Sequence, residues 1–364
     1  MALIGNSLMT ERRWPAEWEA QDAVQLTWPH ADMEWGGNLP AVVDLYEQLV
    51  ARLVTAGAVV IAAPPASVDG LRRRFADLRL PTARIRCYPA ASNDVWARDH
   101  GPITVLGQDG PRLLDFCFNG WGGKYPAEHD NAITARLHQL GAYPGAELES
   151  VSLVLEGGAI ESDGRGTLLT TERCLLNRNR NPRLDRSAVE AALGAALGLR
   201  HVNWLRHGAL EGDDTDSHVD TLARLCPDNI ILYQDCDDSA DSHYAELSAM
   251  AEELRGLRDA DGRPYRLLPL PWPMAQHDPD DGHRLPATYA NFLVFNDLVL
   301  VPTYDDPRDA EALKQVSRAF PGRRIQGLDC RPLIRQHGSL HCITMQLPRG
   351  VLAAGQPSGG SEQP

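Results

Sequence analysis

Residues 290–320 read ANFLVFNDLVLVPTYDDPRDAEALKQVSRAF. An apolar, β-branched run broken at Asn296-Asp297 predicts a hairpin, and residues 306–320 predict a helix behind it. Strand, turn, strand and helix thus follow within one short stretch, which points to the α/β class. Similar short elements recur outward along the chain. Residues 41–56 carry apolar positions at helical spacing and stop at Gly57, and AVVIAAPP (58–65) reads as a buried strand ended by prolines. Residues 68–77 read as helix, RIRCYPA (84–90) as strand and RLLDFCF (112–118) as strand. VSLVLEGG (151–158) and GTLLTTERCLL (166–176) read as strands around a DGRG turn, before an Ala/Leu helix over Ser187–Gly198. VNWLRH (202–207), TLARLC (221–226) and NIILYQ (229–234) are predicted strands, residues 241–258 a helix, and SLHCITMQLP (339–348) the final strand. SNDVWARDHGP (92–102) and QHDPDDGHRLP (276–286) read as loops.

The chain has 364 residues, and a single core stops growing at about 250–300, so two domains or a ring of smaller units is expected. No linker divides the chain and no residue-level repeat is visible, which favours one catalytic domain over residues 1–348 and a disordered tail over 349–364. Hydrophobic residues at 43% and charged residues at 23% exclude a disordered or fibrous chain. No apolar run approaches the ~20 residues of a membrane span, and Met1–Trp18 lacks the pattern of a secretory signal. The net charge of −14 argues against nucleic acid and suits a small cationic ligand. Seven scattered cysteines without CxxC spacing predict a reduced cytoplasmic protein with no disulfide framework or structural zinc. A homodimer is the expectation that symmetry statistics supply.

Chemistry concentrates in 93-NDVWARDHGP-102, 156-EGG-158, 213-DDTDSHVDTLAR-224 and 337-HGSLHCI-343. Cys342 is either a small buried hydrophobe or a nucleophile whose thiolate something else must stabilise. His218, between Asp216 and Asp220, is either a solvated histidine or an acid/base whose partner is a carboxylate, for which Glu156 is a candidate. If His218-Val219-Asp220 is a strand, both polar side chains leave the same face. Asp99 either caps a turn or, with a second carboxylate, clamps a planar guanidinium. His337 and His341 stand four apart on a predicted strand, which is poor zinc geometry. Residues 235–246 echo a calcium loop with Ala240 where glycine is needed. NGWGGKYP (119–126) lacks the Ser or Thr of a phosphate loop and reads as pocket rim, with Trp121 as a lid.

In order along nearly the whole chain, 14-WPAEWEAQDAVQLTWPH-30, NDVWARDHGP, FNGWGGKY (118–125), LEGGAIESDGRGTLLTTERCLLNRNRNP (155–182), DTDSHVDTLAR, residues 290–313 and GSLHCITMQLP resemble the agmatine deiminase family, which also includes the bacterial peptidylarginine deiminases. The resemblance implies a pentein-type α/β propeller of five pseudo-symmetric ββαβ-like units. It implies Cys342 as nucleophile, His218 as general acid/base, Glu156 as that histidine's partner, and Asp99 with Asp220 as the guanidinium clamp. The implied reaction deiminates a small guanidine, agmatine first, through an amidino-cysteine, with no metal or other cofactor. Arginine or peptidyl-arginine deimination, amidino transfer and guanidine binding without turnover are the alternatives. The chain departs from the family pattern at Gln336-His337-Gly338, where three glycines are usual, and at Ser217, where Thr-Asp-Gly-His is usual. TWPHADMEW (27–35) is also of a shorter type.

Overall fold

The computed structural model describes residues 12–353. Five of its sheets have three or four strands, and each pairs an antiparallel neighbour with a parallel one. The first contains β1 (Gln21–Thr27), β2 (Ala58–Ala63) and β3 (Ile85–Pro89). The second contains β4 (Ile103–Gly107), β5 (Gly110–Cys117) and β6 (Glu147–Val154). β7 (Ile160–Ser162), β8 (Thr167–Thr171) and β9 (His201–Leu205) form the third. The fourth holds β10 (Ala223–Cys226), β11 (Ile230–Gln234) and β12 (Arg266–Leu270). After a two-stranded ladder of β13 (Gln276–His277) and β14 (Arg284–Leu285) comes the fifth, β15 (Leu293–Phe295), β16 (Leu298–Thr303) and β17 (Arg324–Asp329). The last strand, β18 (Met345–Pro348), returns to pair antiparallel with β1.

Local sequence explains the pieces. Helix Leu39–Leu53 buries Val42, Leu45, Tyr46, Leu49, Val50 and Leu53, one face at helical spacing, and covers the parallel crossover from β1 to β2. Gly57 ends it where a Cβ would strike the Phe295 ring, so the glycine also permits packing between the first and fifth sheets. Helix Arg186–Leu197 starts at Asp185, whose carboxylate accepts the Ala188 N–H at 2.9 Å, and ends at Gly198 in the left-handed region (φ +72°).

Several expectations are corrected. Within SNDVWARDHGP, Ala97–His100 forms one buried helical turn, and the loop expected at 276–286 contains the β13–β14 ladder. GTLLTTERCLL is strand only to Thr171 and then a short helix, Glu172–Leu175. His218-Val219-Asp220 is not a strand: His218 precedes a 3-10 turn, Val219–Thr221. Cys342 likewise sits in a turn, because pairing with β1 begins only at Met345. β1, β4, β7, β12 and β17 have no counterpart in the sequence reading; β12 (RLLPL) and β17 (RIQGLD) are interrupted by proline or glycine and lack a clean apolar alternation. Of the expected tail, Arg349 donates its N–H to Ala20 and Val351 is buried, while residues 354–364, like residues 1–11, lie outside the described residues.

Each of the five connections between successive sheets delivers a polar group to one place. Asp99 lies between β3 and β4, Glu156 between β6 and β7, and His218 and Asp220 between β9 and β10. Asn291 lies between β14 and β15, and Cys342 between β17 and β18.

Candidate active site

Backbone contacts set the site before any side chain does. The Arg98 N–H donates to the Cys342 carbonyl at 3.0 Å, so the turn carrying Asp99 is tied to the turn carrying the thiol. The glycine pair after Glu156 is required by close approach. A Cβ on Gly157 would collide with the Arg98 carbonyl. One on Gly158 would lie 2.6 Å from His218 Nδ1, 2.9 Å from Asp99 Oδ1 and 3.2 Å from Asp220 Oδ2. Gly158 thus marks the centre of the cluster. Asp213 organises the next turn by accepting the Ser217 N–H at 2.7 Å and the Thr215 N–H at 3.2 Å.

A cavity of about 430 Å³ reaches Asp99 and Cys342 between the rings of Trp96, Trp121 and Tyr125, and its outer part carries Asp32, Glu34, Asp94 and Asp214. Of the six residues expected from sequence, Asp99, Trp121 and Cys342 line this cavity, while His218, Asp220 and Glu156 are fully buried behind it. Trp121 donates its indole N–H to Asp99 Oδ2 at 3.0 Å, and the Gly158 N–H donates to Asp99 Oδ1 at 3.1 Å. The Trp121 loop is stapled shut, because Tyr125 donates its hydroxyl to Asp214 at 2.9 Å and Lys124 pairs with Asp216 at 3.1 Å.

His218 stands with Nδ1 3.6 Å from Asp99 Oδ1, and neither ring nitrogen has a hydrogen-bond partner among the described residues. The expected Glu156–His218 hydrogen bond is absent. Both Glu156 oxygens accept from Arg180 Nε at 2.9 Å, and Arg180 also pairs with Asp216 at 2.7 Å. Glu156 therefore reaches His218 through charge rather than through a shared proton. Burial opposes the charged imidazole, but Asp99, Cys174 and Glu156 outweigh it and push His218 well above its ordinary pKa. Burial and the neighbouring Asp220 push Asp99 up to about 6, against the pull of His218 and Trp121. Burial, then Asp220 and Asp99, raise the Cys342 thiol well above its ordinary value. Burial and like charge thus favour the thiol form of Cys342, while the surrounding acidic groups favour the charged form of His218.

Cys342 Sγ is 3.4 Å from Asn291 Oδ1 and 4.0 Å from Asp220 Oδ2. Asp220 Oδ2 meets His341 Nδ1 at 2.7 Å, and Asp220 Oδ1 is buried without a partner. Sequence reasoning missed Asn291, Arg180, Cys174, Glu17, Arg224 and the role of His341. Asn291 and Arg180 lie inside quoted segments, yet nothing local distinguishes them from loop residues. Two buried groups, Glu156–Cys174–His218 and Glu17–Glu161–His341, have the donor types of a metal site. An arginine crosses each, Arg180 the first and Arg224 the second, and its cation occupies the carboxylates. The carboxylates of the calcium-like segment are also taken: Asp237 by Arg308, Asp241 by Arg284, and Glu246 by the Gly208 N–H.

Two of the three departures from the family pattern include a residue with left-handed backbone. His337 and Ser217 each have φ +67°, where glycine would be unstrained, and His337 is held by a 2.8 Å contact from Nδ1 to the Gly212 carbonyl. Gly338 cannot vary in the same way, because a Cβ there would enter the Trp96 ring.

The sequence profile of the family described as Porphyromonas-type peptidyl-arginine deiminase matches residues 13–348. The agmatine deiminase of Pseudomonas putida strain F1 is 34% identical over 360 residues, covering 93% of this chain and 95% of that protein. Among solved structures, a cysteine-to-serine variant of C. jejuni agmatine deiminase with substrate bound is 35% identical with a TM-score of 0.85, over 93% of this chain and 97% of that one. A Porphyromonas gingivalis structure provisionally described as an arginine deiminase is 48% identical with a TM-score of 0.86, over 93% and 99%.

Proposed function

This chain belongs to the Porphyromonas-type peptidyl-arginine deiminase family, alongside the agmatine deiminases, and on that premise we propose that it hydrolyses agmatine to N-carbamoylputrescine and ammonia. The observation that carries the choice of substrate is the charge of the cavity, with carboxylates at its inner end and more at its outer end. Agmatine is a cation at both ends. Free arginine would bring its α-carboxylate toward Asp32 and Glu34, and toward Asp94 and Asp214, whose charge burial weakens by pushing Asp94 up to about 7 and Asp214 in the same direction, while Arg335, the cation of the rim, is already paired with Asp278 and Asp280. Two like charges about 4 Å apart repel by about 4 kcal/mol at an effective dielectric of about 20.

The guanidinium is held between Asp99 and Asp220, whose unpartnered Oδ1 is an acceptor in waiting. Its arrival cancels the negative field that holds the proton on Cys342, so the thiol ionises with substrate bound and its proton passes to solvent water. The thiolate forms a C–S bond to the guanidinium carbon. His218 gives its proton to one terminal nitrogen, the C–N bond breaks and ammonia leaves. Water then adds to the amidino-cysteine and passes a proton to His218. The C–S bond breaks, the thiolate is released and the ureido product departs. Glu156, held by Arg180, keeps His218 charged for the first half.

The five sheets, each with a hairpin and a parallel crossover, support an arrangement of five ββαβ units in a pseudo-fivefold ring, with all five connections pointing inward. The unpaired state of all seven cysteines supports a reducing, cytoplasmic setting. Among the described residues no helix is long and apolar enough to cross a membrane.

The test is ammonia release from agmatine, arginine and an arginine peptide side by side, with Cys342→Ala as blank. Release from agmatine in preference to arginine is expected. Preference for arginine, the reading favoured by the 48% identity to the P. gingivalis protein and by Arg335 at the rim, would overturn the substrate but keep the chemistry.

A further inference from the structure

His341 precedes the thiol in sequence but faces away from the cavity, and its ring is almost fully buried. Nδ1 lies 2.7 Å from Asp220 Oδ2, and Nε2 lies 2.7 Å from Glu17 Oε2. Asp220 Oδ2 requires a donor at Nδ1, while Nε2 is flanked by an acceptor, Glu17 Oε2, and a donor, Arg224 Nη2 at 3.0 Å. The chain of contacts continues inward. Glu17 Oε2 accepts from Arg224 Nη2 at 2.8 Å, and Arg224 Nε donates to Glu161. Glu17 Oε1 accepts the Val294 N–H at 2.7 Å, and the His341 N–H donates to Asn291 Oδ1 at 2.8 Å. The imidazole is therefore clamped from both sides and along its backbone.

The consequence lies at Asp220. One of its oxygens is occupied by His341 and the other is buried without a partner. An unanchored carboxylate could rotate, and it would face His218, Asp99, Cys342 and Arg224 as well as His341. Burial raises Asp220, yet the hydrogen bond and charge of His341, with His218 and Arg224, bring it below the ordinary carboxylate range. Around His341 itself the charged groups are Asp220, Glu17 and Arg224, with Arg98 and Glu161 beyond them.

We propose that His341 is a positioning residue whose Nδ1–H, with Nε2 held by Glu17 and Arg224, fixes Asp220 so that Oδ1 is presented to the substrate guanidinium. This rests on the guanidine-hydrolase reading above. Its role is in binding, so its loss should appear mainly in KM. An asparagine places an amide donor near the position of Nδ1 and reaches Asp220, whereas a glutamine reaches toward Glu17 instead.

With agmatine as substrate, His341→Gln is expected to raise KM by about 10–100-fold, the scale of a lost charge-assisted hydrogen bond, and His341→Asn by less than about 5-fold. Equal losses in both variants, or a loss in His341→Gln that falls on kcat with KM unchanged, would overturn the proposal. If His341→Gln does not fold, Glu17→Gln keeps an acceptor for Val294 and Arg224 and weakens the hold on Nε2, and it should raise KM with kcat little changed; an unchanged KM overturns the proposal. Nitrogen-15 NMR of histidine-labelled wild-type protein supplies a readout that needs no substrate. A ring protonated at Nδ1 whose signal is lost in His341→Asn supports the clamp, and a ring without a proton at Nδ1 refutes it. Failure of the wild-type protein to release ammonia from agmatine would instead count against the proposed substrate and leave the NMR result to decide this inference.

Discussion

Burial and two aspartates raise the Cys342 thiol well above its ordinary pKa, so in the proposed mechanism its reactivity is conditional on a bound cation. Cys342→Ser should keep the far-ultraviolet circular dichroism of the wild type and lose turnover to the level of the blank. Retained turnover would sink the nucleophile assignment. Asp99 sets the lower edge of activity. With its value pushed up to about 6, it takes a proton as pH falls through that region and loses its hold on the guanidinium. In the free enzyme kcat/KM should therefore fall on the acid side of about pH 6, and Asp99→Asn should lower it by about 100-fold at neutral pH. A pH profile flat down to 5, or an unchanged specificity constant, would refute the clamp. The sequence exposed Cys342, His218, Asp99, Asp220 and Glu156 because each sits in a compact polar motif. It could not expose Glu17 as a partner of His341, since 324 positions separate the two.

Among the elements, the inter-sheet turns do more for the site than the strands. Gly158 has no side chain because three catalytic side chains occupy the space where its Cβ would be. Gly158→Ala is expected to cut kcat/KM by at least about 100-fold by displacing His218 and Asp99, since misplacement of about 1 Å at a reacting group costs this much. Activity within a few-fold of wild type would show that the cluster is looser than the backbone implies. At His337 and Ser217 the opposite holds, because left-handed backbone accepts glycine more easily than the residues present. The strand expected through Cys342 begins three residues later, at Met345, where pairing with β1 starts. The conditional strand reading of His218-Val219-Asp220 gives way to a 3-10 turn ahead of β10. A short apolar run flanked by polar residues reads as a strand whether or not a partner is available.

At the scale of the molecule, closure and charge are the governing features. β18 completes the first sheet by pairing Met345–Pro348 with Gln21–Gln25, so the two ends of the described chain depend on each other. Ending the chain at Thr344 should abolish cooperative thermal unfolding; a wild-type melting curve would refute that dependence. The net charge of −14 and the acidic cavity should draw a cationic substrate inward. Raising ionic strength should then lower kcat/KM for agmatine several-fold and leave kcat in place, because screening acts on encounter over the roughly 10 Å of a Debye length and not on the bound complex. An equal effect on an uncharged guanidine of similar size is ruled out by the same argument and makes a direct control.

The amino-acid order by itself determined the α/β class, most helices and hairpins, the absence of an apolar run long enough to span a membrane, and the residue types that meet at the site. These are local properties, set by spacing, by turn chemistry and by side-chain pKa. Tertiary structure alone decided that Glu156 answers to Arg180 rather than to His218 by hydrogen bond, that Asp220 has one bound and one free oxygen, and that His341 is braced from the first strand's approach. Such pairings form between segments hundreds of residues apart. Which of several buried charges meet is settled only when the sheets close and water is excluded, because only there does a misplaced charge cost enough to select one arrangement.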